Sequence, residues 1–154
     1  MGTLKIDSVD DLKGLVGQEL GVSEWLTVTQ DRIQQFADAT GDHQWIHTDP
    51  ERAKRDSPFG GTIAHGFLTL SLASHFQKQL LEIRGGVRMG INYGLNRVRF
   101  MSPVRAGSRI RGRFTLQSLK AVTGAMEAVF AVTVEAEKSE KPCCAAEWVV
   151  RYYS

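Results

Sequence analysis

The chain has 154 residues, of which 42% are hydrophobic and 23% charged, a length and composition typical of one globular domain. This balance excludes collagen-like, low-complexity and disordered proteins, because enough apolar side chains are present to offset the entropy lost on ordering. The net charge of +2 argues against a general nucleic-acid-binding or membrane-surface protein. We therefore expect residues 1–154 to form a single domain.

Helix signals dominate the first part of the chain. The segment Ser8–Leu20 predicts a short helix, with its first residue as the N-cap. Thr29 precedes a clearer helix, and Gly41 is a natural stop for it. After an irregular stretch, Asp49 as N-cap and Pro50 at the first helical position predict one further helical turn.

The later part of the chain combines one apolar segment with a run of strands. Thr62–Ile83 carries hydrophobic residues on nearly every side of a helix, and a helix that is apolar all round is a buried one. After Gly86 the pattern predicts strands at Val87–Asn92, Arg97–Met101, Ser108–Leu119, Gly124–Glu137 and Ala146–Tyr153. Helices followed by strands indicate an α+β fold, with an antiparallel sheet curled around one long buried helix.

The sequence contains no sign of export or membrane insertion. No run approaches the roughly 20 apolar residues of a membrane span, and the N-terminal segment lacks the apolar core of a signal peptide. Cys143 and Cys144 are neighbours, and adjacent residues rarely meet the geometry of a disulfide. We expect a cytoplasmic protein with two reduced thiols that serve packing.

A polar cluster within an apolar segment points to chemistry. Asp42 and His47 lie five residues apart in a loop that leaves a helix, close to Phe36 and Trp45 in sequence. They can converge on one point and hold a water molecule between them, with His47 as base and Asp42 as its partner or as proton donor. The alternative is that Gly41-Asp42 only stops the helix and starts a turn.

The start of the apolar segment supplies a second element. Free N–H groups at a helix start stabilise a carbonyl oxygen that gathers negative charge, and Gly66 lets a ligand approach the backbone closely because it has no Cβ. His65 is expected to be a capping or buried, hydrogen-bonded residue. His43 and His47 are also spaced as a helical metal pair, but the loop-like composition and the lack of a third ligand predict no metal site.

These residues resemble a known family. The segment Phe36–Ala53 is similar to the signature of the MaoC-like, (R)-specific enoyl-CoA hydratases, with Gly41-Asp42, Ile46-His47 and Ala53 at the characteristic places. Together with the downstream sequence Pro-Phe-Gly-Gly-Thr-Ile-Ala-His-Gly-Phe, it resembles the branch of nodulation-protein-N-like proteins and mycobacterial enoyl-CoA hydratases. Many members have Asn-Pro between the Asp and the aliphatic-His pair, where this chain has His43-Gln44-Trp45.

The resemblance implies a hot-dog fold, with the sheet wrapped around a helix at Ala64–Glu82, and a homodimer. It implies that Asp42 and His47 activate the water that hydrates a trans-2-enoyl-CoA to an (R)-3-hydroxyacyl-CoA, with no metal or redox cofactor. The Gly66 N–H would form the oxyanion hole, and Ser74 would lie near the substrate. A hot-dog acyl-CoA thioesterase and a non-catalytic acyl-CoA or acyl-carrier binding protein stay open as alternatives.

The charge is distributed unevenly along the chain. Residues 84–126 contain nine Lys or Arg and no Asp or Glu. Arg109, Arg111 and Arg113 alternate, so they can form the solvated face of a strand. In the other interpretation, at least one arginine of a second group contacts the phosphates of CoA. This group consists of Arg84, Arg88, Arg97, Arg99 and Arg105.

Overall fold

The computed structural model describes residues 2–154, which form a strand-rich structure with five α-helices. The strands are β1 Leu4–Ile6, β2 Glu19–Val22, β3 Leu26–Thr27, β4 Leu81–Ile83, β5 Met89–Arg99, β6 Arg109–Val122, β7 Ala125–Ala136 and β8 Cys144–Tyr153. The helices are α1 Gln30–Thr40, α2 Trp45–Thr48, α3 Pro50–Asp56, α4 Gly66–Ser71 and α5 Ala73–Lys78, and a 3₁₀ helix covers Val9–Leu15.

One six-stranded antiparallel sheet organises the molecule. Its strand order is β2-β6-β7-β8-β5, and β3 pairs with β6 beside β2. The long strands β6 and β7 form a hairpin that runs from Ile110 opposite Ala136 to Val122 opposite Ala125, with one register shift between Leu116 and Ser118. Strand β5 lies at one edge, because β8 is its only partner in the described residues. The predicted α+β class and hot-dog fold are therefore confirmed.

The apolar segment forms two short helices, and the prediction of one helix over Ala64–Glu82 is wrong in its bounds. At Leu72 the N–H divides its hydrogen bond between the Leu68 and Thr69 carbonyls, which marks the junction between α4 and α5. The segment then ends in strand β4, which pairs in parallel with β1. Helical periodicity cannot reveal such a partner strand from the other end of the chain.

The core lies between these helices and the concave face of the sheet. Phe76 of α5 and the sheet residues Phe114 and Phe130 are fully buried. Phe76 packs directly over Gly112 of β6, where a Cβ atom would lie 2.9 Å from the Cβ of Phe76. Phe67 of α4, by contrast, is 69% exposed. The expectation that the apolar segment is buried on every side is therefore wrong.

The remaining elements agree with the sequence in type more than in extent. Thr29 caps α1, Gly41 ends it in the left-handed conformation, and Asp49 caps α3. The first predicted helix is shorter, because β2 begins at Glu19 within the segment Ser8–Leu20. The two strands expected before residue 102 are one strand, β5, interrupted by register shifts.

Two further expectations concern cysteine and the membrane. Cys143 and Cys144 are free and buried, and burial raises the pKa of the Cys143 thiol to about 12 and that of Cys144 to about 11. Both therefore stay protonated and serve packing, as predicted. Within residues 2–154, no helix combines the length and the apolar character needed to span a bilayer.

Candidate active site

His47 is buried in α2 and held in one orientation. Its Nδ1 lies 2.7 Å from the Ile63 carbonyl oxygen, and because a carbonyl oxygen only accepts, Nδ1 carries the hydrogen. Nε2 is then the ring nitrogen left free to accept a proton. The His47 carbonyl accepts a hydrogen bond from Gln30 Nε2 at 2.8 Å, and Gln30 in turn accepts one from the Thr62 hydroxyl.

Asp42 enters the site from the loop between α1 and α2. This loop follows Gly41, whose φ of 81° and bond to the Ala37 carbonyl end α1. The Asp42 carboxylate is about half exposed, and its Oδ1 accepts a long hydrogen bond of 3.4 Å from the Gln44 N–H. The side chain is thus open to water on one side while the loop fixes its backbone.

His65 connects these two residues. Its ring is buried and stacks on His47, with the centroids 3.9 Å apart. Its Nε2 donates to the Asp42 backbone carbonyl at 3.0 Å. His65 occupies the N-cap position of α4 but makes no capping hydrogen bond through its side chain. Of the two roles expected from the sequence, the buried, hydrogen-bonded one is confirmed and the capping one is wrong.

The three side chains form one compact cluster. One nitrogen or oxygen atom from each of Asp42, His47 and His65 lies within 4.8 Å of the others. These atoms could together ligate a metal ion, although His47 Nδ1 and His65 Nε2 already serve backbone carbonyls. His43 lies outside the cluster, because its Nε2 contacts Asp38 Oδ1 at 2.9 Å. A metal pair formed by His43 and His47 is thus absent from the described residues, and the lack of a resident metal stays a prediction.

Gly66 begins α4 directly after His65. As the first helical residue, its N–H has no acceptor within the helix. A Cβ at this position would lie 3.1–3.2 Å from the Phe100 ring, so a larger residue would require that ring to move by a few tenths of an ångström. The sequence suggested that glycine leaves room for a ligand, whereas in the single chain Phe100 takes up the space above its Cα.

A largely apolar cavity of about 550 Å³ adjoins the cluster. Phe36 connects the two, because it lines the cavity and its ring lies 4.9 Å from that of His65. Ser74 of α5 lines the same cavity, whose lining residues include none of the three side chains of the cluster. Asn92 also lines it, and its Oδ1 accepts a hydrogen bond from Trp148 Nε1. Ser74 therefore faces the cavity and lies apart from the polar cluster.

The arginines of residues 84–126 divide into those that form ion pairs and those that do not. Arg109, Arg111 and Arg113 pair with glutamates on β7, directly after β7 and on β2, so the interpretation as a solvated sheet face holds for them. Arg84 lies 3.9 Å from Glu82. A final group forms no ion pair within residues 2–154, namely Arg88, Arg97, Arg99 and Arg105.

Sequence reasoning singled out Asp42 and His47 but missed the groups that hold them. Gln30 lies in α1 and Thr62 in the segment before α4. Nothing in their spacing indicates that Gln30 bonds to both Thr62 and the His47 carbonyl. The Ile63 carbonyl that orients the His47 ring is a backbone group, which leaves no signal in the sequence. The site combines a carboxylate, an imidazole with one free nitrogen and a nearby cavity, which suits acid–base chemistry on a largely apolar ligand.

Comparisons with known proteins agree with this chemistry. Residues 11–139 match the family described as MaoC like domain. The chain is 51% identical over 147 residues to 3-hydroxyacyl-thioester dehydratase Z of Mycobacterium tuberculosis, covering 95% of this chain and 96% of the relative. It is 53% identical over 143 residues to nodulation protein N of Rhizobium leguminosarum bv. viciae, covering 92% and 89%.

A solved structure supports the fold. The (R)-hydratase from A. caviae involved in PHA biosynthesis superimposes with a TM-score of 0.71 at 23% identity, over 88% of this chain and 94% of that one. Both sequence relatives are matched over most of their length, and the family match spans most of this chain. The chain therefore belongs to the MaoC-like dehydratases, a family of hydro-lyases.

Proposed function

We propose that this protein catalyses the (R)-specific hydration of trans-2-enoyl-CoA thioesters to (R)-3-hydroxyacyl-CoA, and the reverse dehydration. The observation that carries the proposal is the pairing of the Asp42 carboxylate with a His47 ring whose Nδ1 is occupied by the Ile63 carbonyl. The mycobacterial relative is named for dehydration of 3-hydroxyacyl thioesters, which supports a thioester as the substrate.

In the hydration direction, Asp42 and His47 would hold and activate one water molecule. His47 Nε2 accepts a proton from the water as the water oxygen bonds to Cβ of the substrate, and the pair returns that proton to Cα, so that one water molecule is added across the double bond. Charge that gathers on the thioester oxygen would be stabilised by the Gly66 N–H, which has no acceptor within α4. The acyl chain would enter the cavity next to Phe36, with Ser74 on its wall.

We also propose that the protein works as a homodimer. The edge strand β5 exposes Met89, Ile91, Tyr93 and Leu95, each by at least 42%. Edge strands with exposed apolar side chains favour pairing with another chain. Sedimentation of the purified protein should give twice the mass of one chain, and Leu95→Asp should shift it toward the monomer. A wild-type monomer would refute this part of the proposal.

The CoA part of the substrate suits the unpaired arginines. CoA carries several phosphate charges, and guanidinium groups bind phosphate well. Arg105 pairs through its backbone with Ile63, the residue whose carbonyl orients His47, which places this unpaired arginine near the cluster. The proposed reaction needs no metal or redox cofactor. We also propose that the protein is cytoplasmic.

The experiment that tests the proposal is an absorbance assay. Protein is added to crotonyl-CoA and longer trans-2-enoyl-CoA homologues, the loss of the conjugated enoyl absorbance is followed, and the product is resolved by chiral chromatography. We expect turnover to the (R)-3-hydroxyacyl product. An (S)-product, or no turnover at any chain length, would refute the proposal.

Two alternatives give different signals in the same mixture. A thioesterase would release free CoA thiol, which a thiol reagent detects. A binding protein would show saturable acyl-CoA binding in calorimetry without turnover. Either result in the absence of hydration would replace the proposed function.

A further inference from the structure

His65 makes contacts that packing alone does not explain. Its ring is 4% exposed, stacks on the His47 ring and lies 4.9 Å from the tilted Phe36 ring. Its Nε2 donates to the Asp42 carbonyl at 3.0 Å and lies 4.0 Å from the Asp42 carboxylate. One side chain thus contacts the backbone of the proposed acid and the ring of the proposed base.

The second nitrogen of His65 is left without a partner. Nδ1 is buried and has no hydrogen-bond partner within residues 2–154. A buried polar atom without a partner costs folding free energy, and a phenylalanine at this place would stack on His47 without that cost. Histidine is therefore the poorer choice for packing, and what it adds over phenylalanine is the Nε2–H bond to Asp42.

The neighbouring backbone serves the same site. The Ile63 carbonyl accepts from His47 Nδ1, the His65 ring holds Asp42, and Gly66 presents its N–H at the start of α4. Three residues of the segment Ile63–Gly66 thus set the positions of the proposed acid, base and oxyanion donor relative to one another. A shift of the Asp42 loop would break this arrangement without any change in the fold.

We propose that His65 is a positioning residue, which fixes the Asp42 loop through its Nε2–H and the plane of the His47 ring by stacking. The inference rests on the proposed function, because it takes Asp42 and His47 as the reacting groups. Misplacement of a reacting group by about 1 Å can lower a rate by roughly 100-fold. The effect of losing His65 should therefore appear in kcat, with little change in KM.

Two substitutions separate the contributions of the ring and the donor. His65→Phe keeps the stacked ring and removes the N–H, whereas His65→Gln offers an amide N–H near the position of Nε2 and removes the ring. We expect His65→Phe to lower kcat by about 10- to 100-fold, with KM within about threefold, and to leave the melting temperature equal or higher because the unpaired Nδ1 is gone. His65→Gln should restore part of kcat.

Histidine NMR gives a readout that does not depend on activity. In wild-type protein labelled with ¹⁵N-histidine, we expect His47 as the Nδ1–H form and His65 as the Nε2–H form, as their carbonyl partners require. In His65→Phe the His47 signals should shift or broaden, because the stacked ring is no longer fixed against Asp42. His43→Gln is the matched control, since His43 contacts Asp38 outside the cluster.

The outcomes distinguish this inference from the proposed function. Wild-type kcat in His65→Phe, or a loss of kcat that follows a fall in melting temperature in both variants, would overturn the positioning role. If wild-type protein shows no hydration at all, the proposed function fails. The NMR spectra then decide the role of His65 alone, and unchanged His47 signals in His65→Phe would refute it.

Discussion

Gly112 is the position where the structure leaves least room for a side chain. A Cβ atom there would lie 2.8 Å from Phe114 Cε1 and 2.9 Å from Phe76 Cβ, and both phenylalanines are fully buried. Gly112→Ala must therefore push α5 and β6 apart by several tenths of an ångström. Overpacking of this kind costs about 1–3 kcal/mol. For a domain of this length, that loss lowers the melting temperature by roughly 2–12 °C.

The assay is urea denaturation of the wild-type and variant proteins at one fixed concentration, since association with a second chain would change the apparent stability. Gly14→Ala is the matched control, because a Cβ at Gly14 meets nothing within 4 Å, and we expect its stability to stay unchanged or to rise slightly. Combining Gly112→Ala with Phe114→Leu, which removes the Cε1 atom that the new Cβ would meet, should destabilise by less than the sum of the two single changes. Strict additivity, or a Gly112→Ala variant as stable as the control, would contradict a clash between this Cβ and the phenylalanine side chains.

Three further predictions concern charge and the cavity. Hydrogen bonds from Arg113 lower the pKa of Glu135 below its ordinary value of 4.5, so this carboxylate stabilises the fold above that value and the contribution is lost as the pH falls through the lowered pKa. Glu135→Gln should therefore lower the free energy of unfolding by about 1 kcal/mol near pH 7 and leave it unchanged in acid. Thermal melting at both pH values measures this, and an equal loss of stability at both would contradict the prediction. Ser74→Leu narrows the cavity and should raise KM for long enoyl-CoA chains at least about fivefold more than KM for crotonyl-CoA. This is the loss of binding expected when roughly one methylene of the acyl chain is excluded. Equal increases in KM for long and short chains would place the acyl chain elsewhere. Arg105→Gln should raise KM and weaken its dependence on salt, whereas Arg109→Gln, whose charge is paired with a glutamate, should do neither.

The parts of the fold that the sequence predicts are those set by local interactions. Thr29, Gly41 and Asp49 act as caps and stops where the pattern indicates, because a cap depends only on residues within one turn. The division of the apolar segment and the pairing of β4 with β1 depend on contacts between distant parts of the chain. Single-sequence periodicity contains no information on such pairs.

The same contrast between local and distant interactions holds for the candidate site. Asp42 and His47 could be identified because their residue types and spacing are distinctive, and the structure brings them together as expected. Gln30 and the Ile63 carbonyl could not be identified, since one is an ordinary polar residue and the other a backbone group. The unpaired state of His65 Nδ1 depends on how distant parts of the chain pack around it, which no sequence pattern indicates.

The central claim is that Asp42 and His47 together activate water at this site. The most direct measurement is the rate of crotonyl-CoA hydration by Asp42→Asn and His47→Asn, beside wild-type protein and with circular dichroism to verify that each variant is folded. We expect each substitution to lower kcat by about 100-fold or more, the usual contribution of a positioned acid or base. A folded variant of either residue that hydrates crotonyl-CoA at the wild-type rate would contradict the claim.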